Sequence, residues 1–133
     1  MSNNQTNTLT ANITGIEDST GSVPINRGLG DLGFDSVYSE FTTYQKLAAG
    51  DNTISIPNSK TFQLYVKNND PALFIIVKYT PTTGAQQISP ALGPGEVFLL
   101  WQQITNAAAT AGVTALVLNA SGANALVEYF LGG

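Results

Sequence analysis

Gly28, Gly30 and Gly33 spell a literal G-x-G-x-x-G, the spacing with which a glycine-rich turn brings backbone N–H groups up to a pyrophosphate at a helix N-terminus. That chemistry needs a strand before the glycines and a helix after them. Ser22-Val23-Pro24-Ile25-Asn26 precedes them, with Pro24 weakening any strand, and no helix is expected before Phe34. The glycines are therefore read as places where an arm can bend. The carboxylates are sparse: Glu17, Asp18, Asp31, Asp35, Glu40, Asp51, Asp70, Glu96 and Glu128. Glycoside hydrolysis needs two of them across a cleft at a set separation, whereas most of these fall in expected turns or on solvent faces. Glu40, Glu96 and Glu128 are the ones to replace in a test for such activity. Asp51-Asn52 and Asn68-Asn69-Asp70 place hard oxygens in loops, as calcium prefers, but turns demand Asx residues for backbone reasons alone. Trp101, Tyr44, Tyr65 and Tyr79 could stack on sugar rings from a wet face. Trp101, however, ends the most apolar stretch, Val97-Phe98-Leu99-Leu100-Trp101, and is expected in the core.

The chain has no Cys and no His, which excludes disulfides, thiolate zinc sites, cysteine nucleophiles and histidine triads. No catalytic residue, cofactor or metal ligand is assigned. With 133 residues, a net charge of -4 and only 11% charged residues, the chain fits a single core and presents a surface that repels phosphate backbones. Neither nucleic acid nor membrane is an expected partner. The longest apolar runs, Ala72 to Val77 and Val97 to Trp101, fall far short of the ~20 residues of a membrane-spanning helix. Met1 to Asn12 has no basic or apolar leader character, which predicts a protein made and kept soluble in a cytoplasm.

Two regions are expected. Residues 1–33 are rich in Asn, Thr, Ser and Gly, carry scattered apolar residues without a lasting period, and predict an extended N-terminal arm that orders by lying on a neighbour. Ile13, Ile16, Val23, Ile25 and Arg27 are its candidate contacts, Arg27 being the arm's single basic residue. Residues 34–133 read as a β body. Phe62, Leu64 and Val66 alternate strictly with Gln63, Tyr65 and Lys67, the mark of a half-buried strand. The Ala-rich stretch from residue 107 onward admits helix by propensity, but Gly112 and Gly122 cut it into short pieces and Val113, Thr114, Val117 and Val127 favour strands. Seven or eight short strands between Gly, Pro and Asn turns predict an all-β fold: an antiparallel β-sandwich or jelly roll with the extended arm attached.

Two strands break the usual alternation of an antiparallel sheet with one wet face. In Ala72 to Tyr79, Leu73, Ile75, Val77 and Tyr79 face one way and Phe74 and Ile76 the other. In Val97 to Ile104, Val97, Leu99 and Trp101 oppose Phe98 and Leu100. Each apolar side chain that gains a cover contributes roughly 1.5–3 kcal/mol, and in so short a chain the cover is expected to be another copy of itself. Leu73, Phe74, Ile75, Ile76, Val77, Phe98, Leu100 and Trp101 are the candidate self-association residues.

The chain as a whole, with its Gly/Asn-rich arm, the segments Ala72-Leu73-Phe74-Ile75-Ile76-Val77-Lys78-Tyr79 and Leu92-Gly93-Pro94-Gly95-Glu96-Val97-Phe98, and a terminal strand ending Leu131-Gly132-Gly133, resembles the small β-structured virion proteins of tailed bacteriophages, especially head decoration (cement) proteins. The resemblance implies a non-enzymatic homotrimer on the capsid exterior that binds the major capsid protein and reinforces the shell. A carbohydrate-binding or receptor-binding module of a phage tail is the alternative.

Overall fold

The computed structural model describes residues 5–16, 24–36, 39–56, 61, 63–81, 86–101 and 112–133. Among them there is no helix. Ten strands follow in order: β1 (Gln5–Ile16), β2 (Pro24–Ser36), β3 (Ser39–Leu47), β4 (Gly50–Ile54), β5 (Gln63–Asn68), β6 (Ile75–Pro81), β7 (Ala91–Leu92), β8 (Val97–Trp101), β9 (Val113–Ala120) and β10 (Ala125–Gly132). The two Ala-containing segments at the C-terminal end are strands, since their β-branched residues pair and pack where isolated nine-residue helices would be marginal.

β3 to β10 build two four-stranded antiparallel sheets, ordered β3-β10-β5-β8 and β4-β9-β6-β7. Pairing follows a simple rule: β3 with β10, β4 with β9, β5 with β8 and β6 with β7, each strand meeting the one equally far from the other end of the body. Strict alternation makes the core. Leu64 and Val66 of β5 and Val127, Tyr129 and Leu131 of β10 point inward from the first sheet; Ile75 and Val77 of β6 and Leu116 and Leu118 of β9 meet them from the second. Tyr79 and Phe98 close one part of this interface with ring centroids 5.3 Å apart. The arrangement is sandwich-like and all-β, as the turn-rich alternating sequence predicts.

Loop polar groups lock the corners. Asn68, fully buried, donates from Nδ2 to the carbonyls of Leu73 (2.7 Å) and Leu92 (3.0 Å) and accepts the Asp70 N–H at 2.9 Å. Asp70 accepts the N–H groups of Leu73 (2.8 Å), Ala72 (2.9 Å) and, more loosely, Leu126 (3.3 Å). Asn52 donates to the carbonyls of Ala48, Gly50 and Leu118. Of the oxygens that the sequence offers to calcium, those of Asn52, Asn68 and Asp70 here accept backbone N–H groups. Among the described residues no group of three or more acidic, His or Cys side chains is placed to hold a metal ion. Gly50 starts β4 at φ +86°, with nothing within 4 Å of a hypothetical Cβ, so backbone geometry rather than space selects glycine there.

The N–H bonds from Leu73 and then Ala72 hold the Asp70 carboxyl below its ordinary 3.8. A carboxyl lowered on folding contributes stability that is present above its unfolded value and is lost as pH falls through the folded one. Asp70→Asn is therefore expected to lower the thermal midpoint at pH 7, with the gap to the parent protein closing in acid. Calorimetry at pH 7 and pH 2.5 checks this, and a gap that persists unchanged at pH 2.5 contradicts it.

The N-terminal region holds two strands that pair with each other. β1 and β2 pair antiparallel, from Gln5 opposite Ser36 to Ile16 opposite Pro24, with an irregularity between Thr10 and Asn12. The scattered apolar residues conceal this because a backbone ladder needs no apolar period. Pro24 is tolerated as the first residue of β2, where a missing N–H costs little. Gly28, Gly30 and Gly33 lie inside that strand, and another strand, β3, follows. β2 runs to Ser36 and β3 starts at Ser39.

Candidate functional site

Register places side chains in rows across a sheet. On the outer face of β3-β10-β5-β8, Phe41 lies opposite Phe130, Phe130 opposite Tyr65, and Tyr65 opposite Leu99. One apolar row thus crosses all four strands. Phe41 stacks toward Tyr65 (6.5 Å, 14°), and Trp101, from the neighbouring row, stacks on Phe130 (5.8 Å, 22°). Such pairs contribute about 0.5–1.5 kcal/mol beyond their burial. The row is nevertheless wet at both ends, Phe41 being 57% and Leu99 41% exposed, and Val97, opposite Lys67 in another row, is 49% exposed. A groove of about 390 Å³ opens on it, lined by Phe41, Tyr65, Leu99, Trp101 and Phe130, and completed by Thr8 and Leu9 of β1.

The polar groups at its side form one bonded pair. The Tyr65 hydroxyl donates to Glu128 Oε1 at 2.6 Å. Burial, then the bond to the Glu128 carboxylate and its charge, push the phenol up from 10.0 to about 12. A raised folded value means stability that is complete below about pH 10 and is lost as pH rises toward 12. Tyr65→Phe is expected to narrow its stability difference from the parent over that window and nowhere below it. Denaturant melts at pH 8, 10 and 12 measure the difference; a difference constant through pH 12 contradicts the pairing.

The outer face of the other sheet is of a different kind. Asp51 on β4, opposite Asn119 on β9, accepts from Asn119 Nδ2 (2.6 Å) and Lys78 Nζ (2.9 Å). The Asn119 bond first, and Lys78 second, hold the Asp51 carboxyl below its usual range. That face reads as an ordinary solvated one, and its exposed ion pair contributes little. Glu96 accepts the Gly93 N–H at 2.6 Å, and Glu128 is held by Tyr65, so neither is paired with a second carboxylate.

The expected self-association residues are not brought together. Ile75 and Val77 are fully buried between the sheets, and Leu73, Phe98 and Leu100 pack against that same core. Ile76 lies half-buried on the polar outer face and Phe74 stands exposed in the loop before β6. Trp101 alone of the eight reaches the aromatic face. Its expected place in the core is corrected: the pairing of Leu64 with Leu100 and Val66 with Phe98 turns Phe98 and Leu100 inward and Trp101 outward. The Trp101 Nε1–H is itself covered and has no acceptor among the described residues. In the ribbon, Ile13 lies opposite Arg27, Gly15 opposite Ile25 and Ile16 opposite Pro24; the side chains of Ile13, Ile16, Ile25 and Arg27, and Val23 altogether, lie outside the described residues. Sequence reading missed Phe41, Tyr65, Leu99 and Phe130 as one set. Tyr65, Leu99 and Phe130 sit at outward positions of alternating strands and Phe41 at an exposed position of β3, but only register aligns them.

The sequence matches no protein-family model and no curated protein. What this face does is read from its own chemistry. It offers flat rings, an open groove and one hydroxyl–carboxylate pair, which suit a protein surface or a sugar ring.

Proposed function

We propose that the protein is a non-enzymatic structural protein of the virion, a capsid decoration (cement) protein that self-associates, as a homotrimer, through the outer face of β3-β10-β5-β8 and binds the major capsid protein on the shell exterior. The observation that carries self-association is the apolar row Phe41–Phe130–Tyr65–Leu99, which crosses four strands and is exposed at both ends, while the other sheet's outer face carries the Asp51–Lys78 ion pair. Contiguous exposed aromatics mark binding surfaces rather than free ones. The capsid role adds to this the whole-chain resemblance to phage decoration proteins. The strand pairing supports a jelly roll: an eight-stranded hairpin folded over so that first meets last, third meets sixth, and successive strands alternate between sheets, β6 to β7 excepted. That architecture is used by viral capsid proteins and by lectins, so it supports the class and not the partner.

The test is co-sedimentation with shells of the virus that encodes the chain, prepared without it. Saturable binding with a raised shell melting temperature is expected. Shells that neither bind the protein nor gain heat resistance overturn the capsid role. The groove also favours a second reading, a carbohydrate-binding module of a phage tail, because Tyr65, Trp101 and Phe130 line it as stacking platforms. Glycan-array binding that quenches Trp101 fluorescence, without shell binding, selects that reading.

A further inference from the structure

We infer that β8 pairs edge to edge, antiparallel and about a two-fold axis at Leu99, with β8 of a second copy of the chain. The inference goes beyond the face contact proposed above and stands without it, because an edge pairs through backbone. In the order β3-β10-β5-β8, β8 has β5 on one side and no strand on the other among the described residues. Such an edge is a template for another strand unless charge, proline, a bulge or shortness guards it. The other edges of the two body sheets are guarded. β3 carries Glu40 and Lys46 and is bulged where Tyr44 takes φ 54°, β4 carries Asp51, and β7 is only Ala91 and Leu92. β8 reads Val97-Phe98-Leu99-Leu100-Trp101, with no charge, no proline and no glycine.

The ladder with β5 fixes which groups face outward. The Asn68 N–H donates to the Glu96 carbonyl (3.0 Å) and the Asn68 carbonyl accepts the Gly95 N–H (2.8 Å), with Gly95 at φ +80°; this is a glycine bulge at the start of the ladder. Bonded and non-bonded pairs alternate from there. Phe98 and Leu100 therefore exchange bonds with Val66 and Leu64, and the N–H and C=O groups of Val97, Leu99 and Trp101 point to the open edge. A two-fold axis at Leu99 sets Leu99 against the partner's Leu99 and Val97 against the partner's Trp101, so every outward group of the strand is bonded. An axis at either end of β8 would leave most of them unpaired. The faces match as well: Phe98 and Leu100 extend the core side of the sheet, and the row Phe41–Phe130–Tyr65–Leu99 continues into its own copy. The two Glu96 carboxylates fall at opposite ends, roughly 20 Å apart along the strands, too far to repel at physiological salt.

Amide hydrogen exchange followed by NMR reads the pairing itself. In the assembled protein the Leu99 and Trp101 amides are expected to exchange at least about 100-fold more slowly than in chains diluted to monomers. Mixtures of carbon-13-labelled and unlabelled chains are expected to show a contact between the Phe98 Hα of one copy and the partner's Leu100 Hα, the closely spaced non-bonded pair. Val97→Pro removes a donor on each side of the axis, and proline is tolerated where its nitrogen faces an open edge; it is expected to speed Leu99 exchange in the assembled protein at least about 10-fold. Fast Leu99 exchange in an assembled particle overturns the edge pairing and leaves the face contact standing. Slow exchange in diluted single chains overturns it too, since the chain then covers its own edge. Slow exchange without the Phe98–Leu100 contact, or unchanged by Val97→Pro, assigns the edge to another strand and overturns the two-fold pair. A monomer at every concentration overturns both readings.

Discussion

Leu99→Asp is expected to turn the assembled protein into folded monomers. Leu99 lies at the end of the apolar row on β8, 41% exposed and outward. The core-facing neighbours Phe98 and Leu100 are untouched by the change, so the fold has no reason to fail. In the assembly the same position is covered by a second copy, and a carboxylate there loses its water without gaining a partner. About 3 kcal/mol per contact follows from an unpaired, desolvated charge, which is about 100-fold in the association constant. Sedimentation at micromolar concentration measures it, with thermal melting as the control for folding. An oligomer of undiminished affinity carrying the aspartate would place the contact elsewhere.

Asn68→Leu is expected to destabilise the fold itself, by about 3 kcal/mol. The side chain is fully buried, and its three hydrogen bonds tie the carbonyls of Leu73 and Leu92 and the N–H of Asp70. Removing it leaves three buried polar groups, each costing about 1 kcal/mol or more when unpaired. The backbone of Asn68 also pairs with Glu96 and Gly95 (3.0 and 2.8 Å), so one residue fixes where the β5–β6 and β7–β8 connections lie. The expected fall in thermal midpoint is about 10 °C. A change under about 1 kcal/mol in chemical denaturation would mean that the buried network matters less than its geometry implies. Because β8 hangs on the same connection, the variant is also expected to loosen the aromatic face.

The β body was legible where apolar residues alternate: the strand holding Leu64 and Val66, the one holding Leu116 and Leu118, and the C-terminal one all lie where their period places them. β7 was hidden because two residues, Ala91 and Leu92, carry no period. The ribbon was hidden because its strands pair through a backbone ladder, and its scattered apolar residues show no lasting period in the sequence. The two-faced character of β8 was legible, but which face meets the core was not, because that depends on pairing with β5, whose partners lie 30 to 38 residues away in the chain. Trp101 was misplaced for this reason. The row from Phe41 to Leu99 joins residues from four strands, and no local signal carries its alignment. Asp70 and Asn68 carried an Asx-turn signal and a calcium signal at once; only the positions of the Leu73, Leu92 and Leu126 backbone groups decide between them.

The most direct measurement is the mass of the purified chain in solution by light scattering. A particle of several times the chain mass of 14.0 kDa, falling to single chains when Leu99 carries a charge, is the predicted result. A stable single chain of 14.0 kDa at high micromolar concentration, its rings still open to water, would contradict the account.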